Sequence, residues 1–171
     1  NHDLFVIEAR TGAKERRLTT TTADEGGRLS WSPDGHTIAY VLGDELKYSA
    51  YDQNRLAVIP AAGGPSRVLS DALDRPVRAP FWTSDGSILF TVVDDRSEYV
   101  GRIAGTGGKI DRLVTGQRVV NSFSSGPDGD LAVIASAPRE VQEIYALEAG
   151  KLRQLSHQND EWFKALLLST T

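Results

Sequence analysis

The sequence has 171 residues, of which 40% are hydrophobic and 25% charged, with a formal net charge of −4. That balance belongs to a folded globular domain rather than a disordered chain, and the length allows one core but not two ordinary domains with a linker. Acidic and basic residues are interspersed without a basic stripe, which argues against nucleic acid as a partner. Cysteine is absent, which excludes disulfides, thiolate nucleophiles and cysteine-held zinc.

No apolar run approaches the roughly 20 residues of a bilayer span, the longest being Phe163 to Leu168 and Leu131 to Ala135, so no membrane partner is expected. The opening Asn-His-Asp-Leu-Phe has no signal-peptide pattern. With no methionine anywhere, the chain reads as one entered in mid-course.

In chain order, the first predicted strands are Leu4 to Glu8 and Arg16 to Thr19, joined through a turn at Gly12. Next comes Leu29 to Val41, interrupted by Ser32-Pro33-Asp34-Gly35. Proline sits where φ near −65° is wanted and glycine where φ must be positive, which predicts a type I turn closed by a G1 bulge, a hairpin connection. Leu56 to Pro60 then runs through Gly63 into a short strand ending in a variant of Leu-Thr. The pattern returns with Pro80 to Val92 around Asp85-Gly86 and Val100 to Ala104 through Gly107. It returns again with Phe123 to Ala135 around Asp128-Gly129 and Ile144 to Glu148 through Gly150.

Gly35, Gly86 and Gly129 are separated by 51 and 43 residues, and Gly12, Gly63, Gly107 and Gly150 by 51, 44 and 43. Two independent markers therefore give one period, and four short strands recurring every 40 to 45 residues or so match a propeller blade. The expected fold is all-β: a partial β-propeller of four-stranded antiparallel blades, comprising two strands of one blade and three full blades. The blades are expected over 1–20 (half), 27–70, 77–115 and 118–156, so that 1–156 is propeller and 157–171 is an exit segment. Propellers close with about four to eight blades. A four-bladed ring would need strands from Asp160 to Thr171, which offers only Phe163 to Ser169 and no Pro-Asp-Gly turn, so a larger ring is expected. The first interval is the longest, and its excess falls in 43–54, a loop suited to a contact surface or simply to solvent.

Reactive chemistry is sparse. No Gly-x-Ser-x-Gly occurs, although a nucleophile elbow requires it. Gly105-Thr-Gly-Gly108 and Ala61-Ala-Gly-Gly-Pro65 are too short for phosphate-binding fingerprints and fall at strand-to-strand turns. His2, His36 and His157 lie far apart, without a second ligand at useful spacing. Asp94-Asp95 with Glu98, and Asp128 with Asp130, have the residue types of glycosidase or calcium sites, yet Asp128 is a turn residue and Asp94-Asp95 is loop. Trp31 and Trp82 occupy equivalent positions, with Ser125 in the third repeat, and are expected to pack blade against blade. No catalytic, cofactor-binding or metal-holding residue is assigned, and no cofactor is expected.

Trp31-Ser-Pro-Asp-Gly35 with Ile38-Ala-Tyr40, and their copies, resemble the Pro-Asp-Gly-containing propeller repeats of the prolyl oligopeptidase family and of the periplasmic protein TolB. Leu152-Arg-Gln-Leu-Ser-His-Gln-Asn-Asp-Glu-Trp162, followed by Phe163 to Leu168, favours the former. It is similar to the stretch where acylaminoacyl-peptidase and dipeptidyl-peptidase types leave the last blade, through Leu-Thr-x-x-Asn, for an α/β-hydrolase domain. Ser156 here replaces the threonine. The resemblance implies a parent serine peptidase acting on short peptides, whose Ser-Asp-His triad maps to nothing in this chain. It further implies that this non-catalytic portion covers the active site and limits substrate size. The implied partners are the hydrolase domain, the remaining blades and short peptides, with a homo-oligomer left open. A cytoplasmic location is expected. The alternative is a TolB-like or scaffold propeller acting as a protein–protein interaction module.

Overall fold

The computed structural model describes residues 2–45, 47 and 53–166. Strand β1 (Phe5–Val6) pairs with β2 (Arg16–Arg17). A four-stranded meander follows: β3 (Ala23–Trp31), β4 (Thr37–Glu45), β5 (Arg55–Pro60) and β6 (Arg67–Val68). The second meander holds β7 (Val77–Trp82), β8 (Ser87–Asp94), β9 (Ser97–Ala104) and β10 (Asp111–Arg112). The third holds β11 (Val119–Ser125), β12 (Leu131–Ala137), β13 (Glu140–Glu148) and β14 (Lys151–Gln154). Within each, neighbours pair antiparallel in chain order, and one parallel pairing of Val119 with Glu98 links the second meander to the third.

The repeat seen in the sequence is thus a repeat of hydrogen-bonding register. Val41 faces Leu56, Thr91 faces Val100 and Ile134 faces Ile144, so each trio of units can be read position by position. The expected hairpins form as well. The amide of Gly35 donates to the Ser32 carbonyl at 2.9 Å and that of Gly86 to Thr83 at 3.1 Å, with φ of 71° and 80° at the glycines. Another residue there would carry left-handed strain.

Strand alternation gives every meander two apolar faces, and the core lies between units rather than inside them. Ile38, Tyr40, Ala57 and Ile59 pack with Leu4 and Leu18 of the β1–β2 pair. On the reverse face, Ala39, Leu56, Val58 and Leu69 join Ile88, Phe90 and Val92 of the second meander, and that cluster continues to Val133, Ala135 and Tyr145 of the third. Each fully buried Val, Leu, Ile or Phe contributes about 1.5–3 kcal/mol, so stacking of sheets is the main stabilising term.

Two expectations change. The described part of Phe163 to Ser169, residues 163–166, is not strand: Asp160–Lys164 form a short helix, α1. Asp160 and Glu161 occupy its first turn and Lys164 its last, an order that suits the helix dipole, and Lys164 reaches Glu161 at 3.0 Å. Ser169 lies outside the described residues, as does most of the 43–54 loop. At its margins, Asp44 accepts from the Gln53 amide at 3.3 Å and from Arg55 at 3.1 Å. Among the described residues no helix is long and apolar enough to cross a membrane.

The two tryptophans also part ways. Trp82 lies over Gly105, where a Cβ would meet its ring at 2.0 Å, whereas Trp31 is 49% exposed. The turn positions explain this. Gly105 donates to the Gly86 carbonyl as Ala61 donates to that of His36, so Ala61 puts a methyl where the first unit would need bare backbone. We predict that Gly105→Ala displaces Trp82 outwards and destabilises the fold by about 1–3 kcal/mol, the usual range for overpacking. Urea denaturation with tryptophan fluorescence should show an earlier midpoint and red-shifted native emission. An unchanged midpoint would refute the packing argument.

Candidate functional site

The Asp-Gly hairpins and the glycine turns after β5, β9 and β13 lie at one end of the strands, and the clefts between units open among them. One cleft, of about 460 Å³, lies between the second and third units, with Asp85, Arg102, Ser125 and Asp128 on its wall. A second, of about 510 Å³, lies between the first and second units beside Asp34, Arg67 and Trp82. Polar rims over apolar floors such as Leu89 and Leu131 could hold a peptide-sized group, but two of the carboxylates there, Asp34 and Asp85, are already committed.

Asp34 accepts from the Ser32 hydroxyl at 2.5 Å and from the His36 amide at 2.9 Å. These two donors, the hydroxyl foremost, hold its carboxyl below the ordinary value. Asp85 does the same with the Thr83 hydroxyl at 2.5 Å and the Ser87 amide at 3.0 Å, and Arg102 also pairs with it. Its pKa is lowered to about 2, the Thr83 hydroxyl being the largest cause. Both acids are ionised hairpin locks, unsuited to donating a proton. Gly126 stands where Ser32 and Thr83 supply the hydroxyl, so Asp128 lacks that bond.

Asp94 accepts from Arg75 at 2.7 Å and lies 3.7 Å from Arg112, whose guanidinium covers the Tyr99 ring at 4.1 Å. Asp95 carries the positive φ of the β8–β9 turn, 55°, a conformation that aspartate tolerates better than most residues. His2 bonds Asp24 at 2.7 Å and His157 bonds Asp160 at 2.9 Å, while His36 stays exposed. Among the described residues, no group of three or more His, Cys, Asp or Glu side chains could hold a metal ion.

Two arrangements were not anticipated. Along the first strands of the three units, β3, β7 and β11, Arg28 lies 4.9 Å over the Phe81 ring, and Phe81 meets Phe123 edge to face at 6.5 Å. Such contacts are each worth about 0.5–1.5 kcal/mol, and they tie three units along one rim. The second concerns the tail. Glu143, on β13 and only 4% exposed, accepts from the Ser156 hydroxyl, from the Asn159 amide at 3.0 Å and from its side chain at 3.2 Å. Ser156 Oγ in turn accepts from the Ile144 amide at 2.9 Å. The Leu-Ser-x-x-Asn segment is therefore clamped to the last sheet by one carboxylate. Equivalent hydroxyls, Thr19 on Leu4 and Ser70 on Leu56, close earlier units at 2.9 Å, but the aspect with Glu143 belongs to the tail alone among the described residues.

The Ser156 bond, then the Asn159 donors, lower the Glu143 carboxyl below its ordinary 4.5. A depressed folded-state pKa means that the clamp contributes fully above the unfolded value and is lost as pH falls through the folded one. We predict that Glu143→Gln accelerates limited proteolysis within 157–166 at neutral pH, and that the unsubstituted chain acquires the same sensitivity only on acidification below the ordinary carboxylate range. Equal cleavage of both chains at neutral pH would contradict the clamp. By the same linkage, Asp85→Asn should flatten the loss of stability between about pH 4 and pH 2, measured by denaturant titration at each pH.

No family model matches the chain. By sequence it is similar to the uncharacterized peptidase YuxL of Bacillus subtilis, 31% identical over 110 residues, covering 56% of this chain and 15% of that protein. By structure it is similar to Pyrococcus horikoshii acylaminoacyl peptidase, with TM-score 0.75 and 19% identity over 96% of this chain and 24% of that one. The β-propeller domain of the Trilobed protease from Pyrococcus furiosus matches with TM-score 0.72 and 19% identity over 92% and 46%. TolB from Acinetobacter baumannii, the competing resemblance, matches less well, with TM-score 0.62 and 15% identity over 84% and 35%. The chain thus spans less than half the length of each of these proteins. It has the fold of the β-propeller domains of acylaminoacyl peptidases and the Trilobed protease, the prolyl oligopeptidase family propellers that its repeats resemble.

Proposed function

We propose that this chain is the non-catalytic propeller portion of a serine oligopeptidase, in which it covers the active site and limits the size of substrates. On this reading it comprises two strands of one blade and three full blades of a larger ring, in a cytoplasmic parent that acts on acylated or otherwise short peptides. The supporting observation is the alignment of almost the whole chain with a quarter of an acylaminoacyl peptidase, joined to a sequence relative that is itself described as a peptidase.

The chemistry of the chain is compatible with that role. Size exclusion is steric and requires a rigid rim rather than a reactive residue. Arg28, Phe81 and Phe123 give the first strands of the three units a bulky, cross-linked lining. Ionised, internally bonded aspartates on the turn face give it charge without proton-transfer capacity. The Glu143 clamp holds the chain in one direction as it leaves the last sheet, which suits a segment that leads to a second domain in fixed register with the ring.

The expected outcome is that the longer polypeptide containing this sequence hydrolyses acylated or dipeptidyl chromogenic peptides, spares folded proteins and contains a Gly-x-Ser-x-Gly pentapeptide after the propeller. The 171-residue chain alone is expected to show no turnover. A longer polypeptide without that pentapeptide and without peptidase activity would leave the interaction-module reading in its place.

A further inference from the structure

The cleft between the second and third units lacks a group that both preceding interfaces contain. Leu18, Leu69 and Leu113 hold equivalent places, each donating its amide to the strand before it, at Leu4, Leu56 and Val100. Two residues earlier stand Arg16, Arg67 and Asp111. Arg16 donates to the Ala61 carbonyl of the following unit at 2.5 Å. Arg67 donates to the Gly105 and Thr106 carbonyls of its own following unit at 2.9 and 2.7 Å. Each guanidinium thus clasps the backbone of the next unit's turn. Asp111 has no proton to donate there, and pairs with Lys109 at 2.9 Å.

The acceptors for such a clasp are nevertheless in place. Ile59, Ile103 and Leu147 are equivalent, facing Ile38, Ile88 and Leu131, so Ala61, Gly105 and Ala149, two residues further on, are equivalent too. Ala149 and Gly150 alone join β13 to β14, and both line the cleft. Among the described residues neither of their carbonyls accepts a hydrogen bond. Asp128, on the cleft wall, makes no hydrogen bond or ion pair among them either. Asp85 and Arg102 satisfy each other, so Asp128 is the uncompensated charge of the cleft. Leu89, Leu131 and Leu147 line it as well. One free carboxylate and two free carbonyls beside an apolar floor call for a cation with several donors and a long methylene stem. Arginine has both, its planar fork matching a carboxylate and its stem tolerating burial. A calcium ion takes about six to eight oxygens, more than these groups supply.

We propose that this cleft binds an arginine side chain of another polypeptide, presented by an extended segment. The Asp128 carboxylate takes the guanidinium as a bidentate pair, the Ala149 and Gly150 carbonyls accept its remaining donors, and its stem lies over Leu89, Leu131 and Leu147. The volume of about 460 Å³ falls in the range of small-ligand sites. The site takes from outside the chain what Arg16 and Arg67 provide within it. Both of its walls are four-stranded units complete in this sequence, so no additional repeat is needed to build it. The inference goes beyond the peptidase reading and does not rest on it.

Binding is measured by titrating the 171-residue chain with the blocked tripeptide acetyl-Ala-Arg-Ala-amide and following backbone amide signals by NMR. The arginine peptide should shift Ser125, Asp128 and Gly150 and saturate. The same peptide with citrulline, which keeps the shape of arginine without its charge, should bind about tenfold more weakly or worse, since hydrogen bonds to charged groups are the stronger ones. Asp128→Asn should weaken the arginine peptide by a similar factor. Asp111→Arg should abolish binding, because the chain then supplies its own guanidinium to the turn; thermal unfolding checks that both variants fold. Equal binding of the arginine and citrulline peptides to the unsubstituted chain would overturn the proposal without any variant. So would undiminished binding to either folded variant, or calcium chloride shifting the same three amides where the arginine peptide does not. Absence of peptidase activity in the longer polypeptide would sink the functional reading while leaving this result intact.

Discussion

Everything in this molecule depends on apolar sheet faces burying one another. Each meander is a thin four-stranded layer whose strands alternate side chains to both faces, and neither face can be left wet at a modest cost. The β1–β2 pair covers the first unit, the first covers the second and the second covers the third. Hydrogen bonds between units, such as Trp82 amide to Ser30 and Ser84 to the Pro127 carbonyl, fix the angle of stacking but contribute far less than the burial they accompany. Regularity follows from this constraint, because each unit must be both a lid for its predecessor and a floor for its successor.

The same constraint explains what was legible in the sequence. Turn chemistry is local, so Ser32-Pro33-Asp34-Gly35 and its copies announced their hairpins, and the period announced the repeat. What depended on spatial neighbours could not be read. Trp31 and Trp82 look identical in sequence, yet a methyl at Ala61 in place of Gly105 gives them opposite surroundings. The Leu-Ser-x-x-Asn segment was visible, but its partner, Glu143, comes 13 and 16 residues before the groups it binds. An apolar run from Phe163 suggested a strand; the flanking charges of Asp160, Glu161 and Lys164 favoured a helical turn instead. The acids looked like sites by residue type, and only geometry showed Asp34 and Asp85 bonded to their own hairpins and Asp94 to arginine.

A surface of this kind can serve biology without reacting. The ionised turn aspartates, the arginine–phenylalanine rim and the clamped tail are all devices of position: they hold backbone and bulk where other groups can rely on them. That is the reason a propeller can be reused beside different chemistries, and why the fold match to peptidase propellers carries weight only when combined with the tail that leaves the last sheet and with the sequence relative.

Burial between units, not the bonding within each sheet, sets local stability. Native-state hydrogen exchange of the 171-residue chain tests it most directly at two amides that make the same bond, Leu56 to the Ser70 hydroxyl and Ile144 to the Ser156 hydroxyl, each at 2.9 Å. Strong protection is expected at Leu56, which lies beneath another unit, and markedly weaker protection at Ile144, which does not. Equal protection at the two amides would show that each sheet is stable by itself and would contradict this dependence on burial.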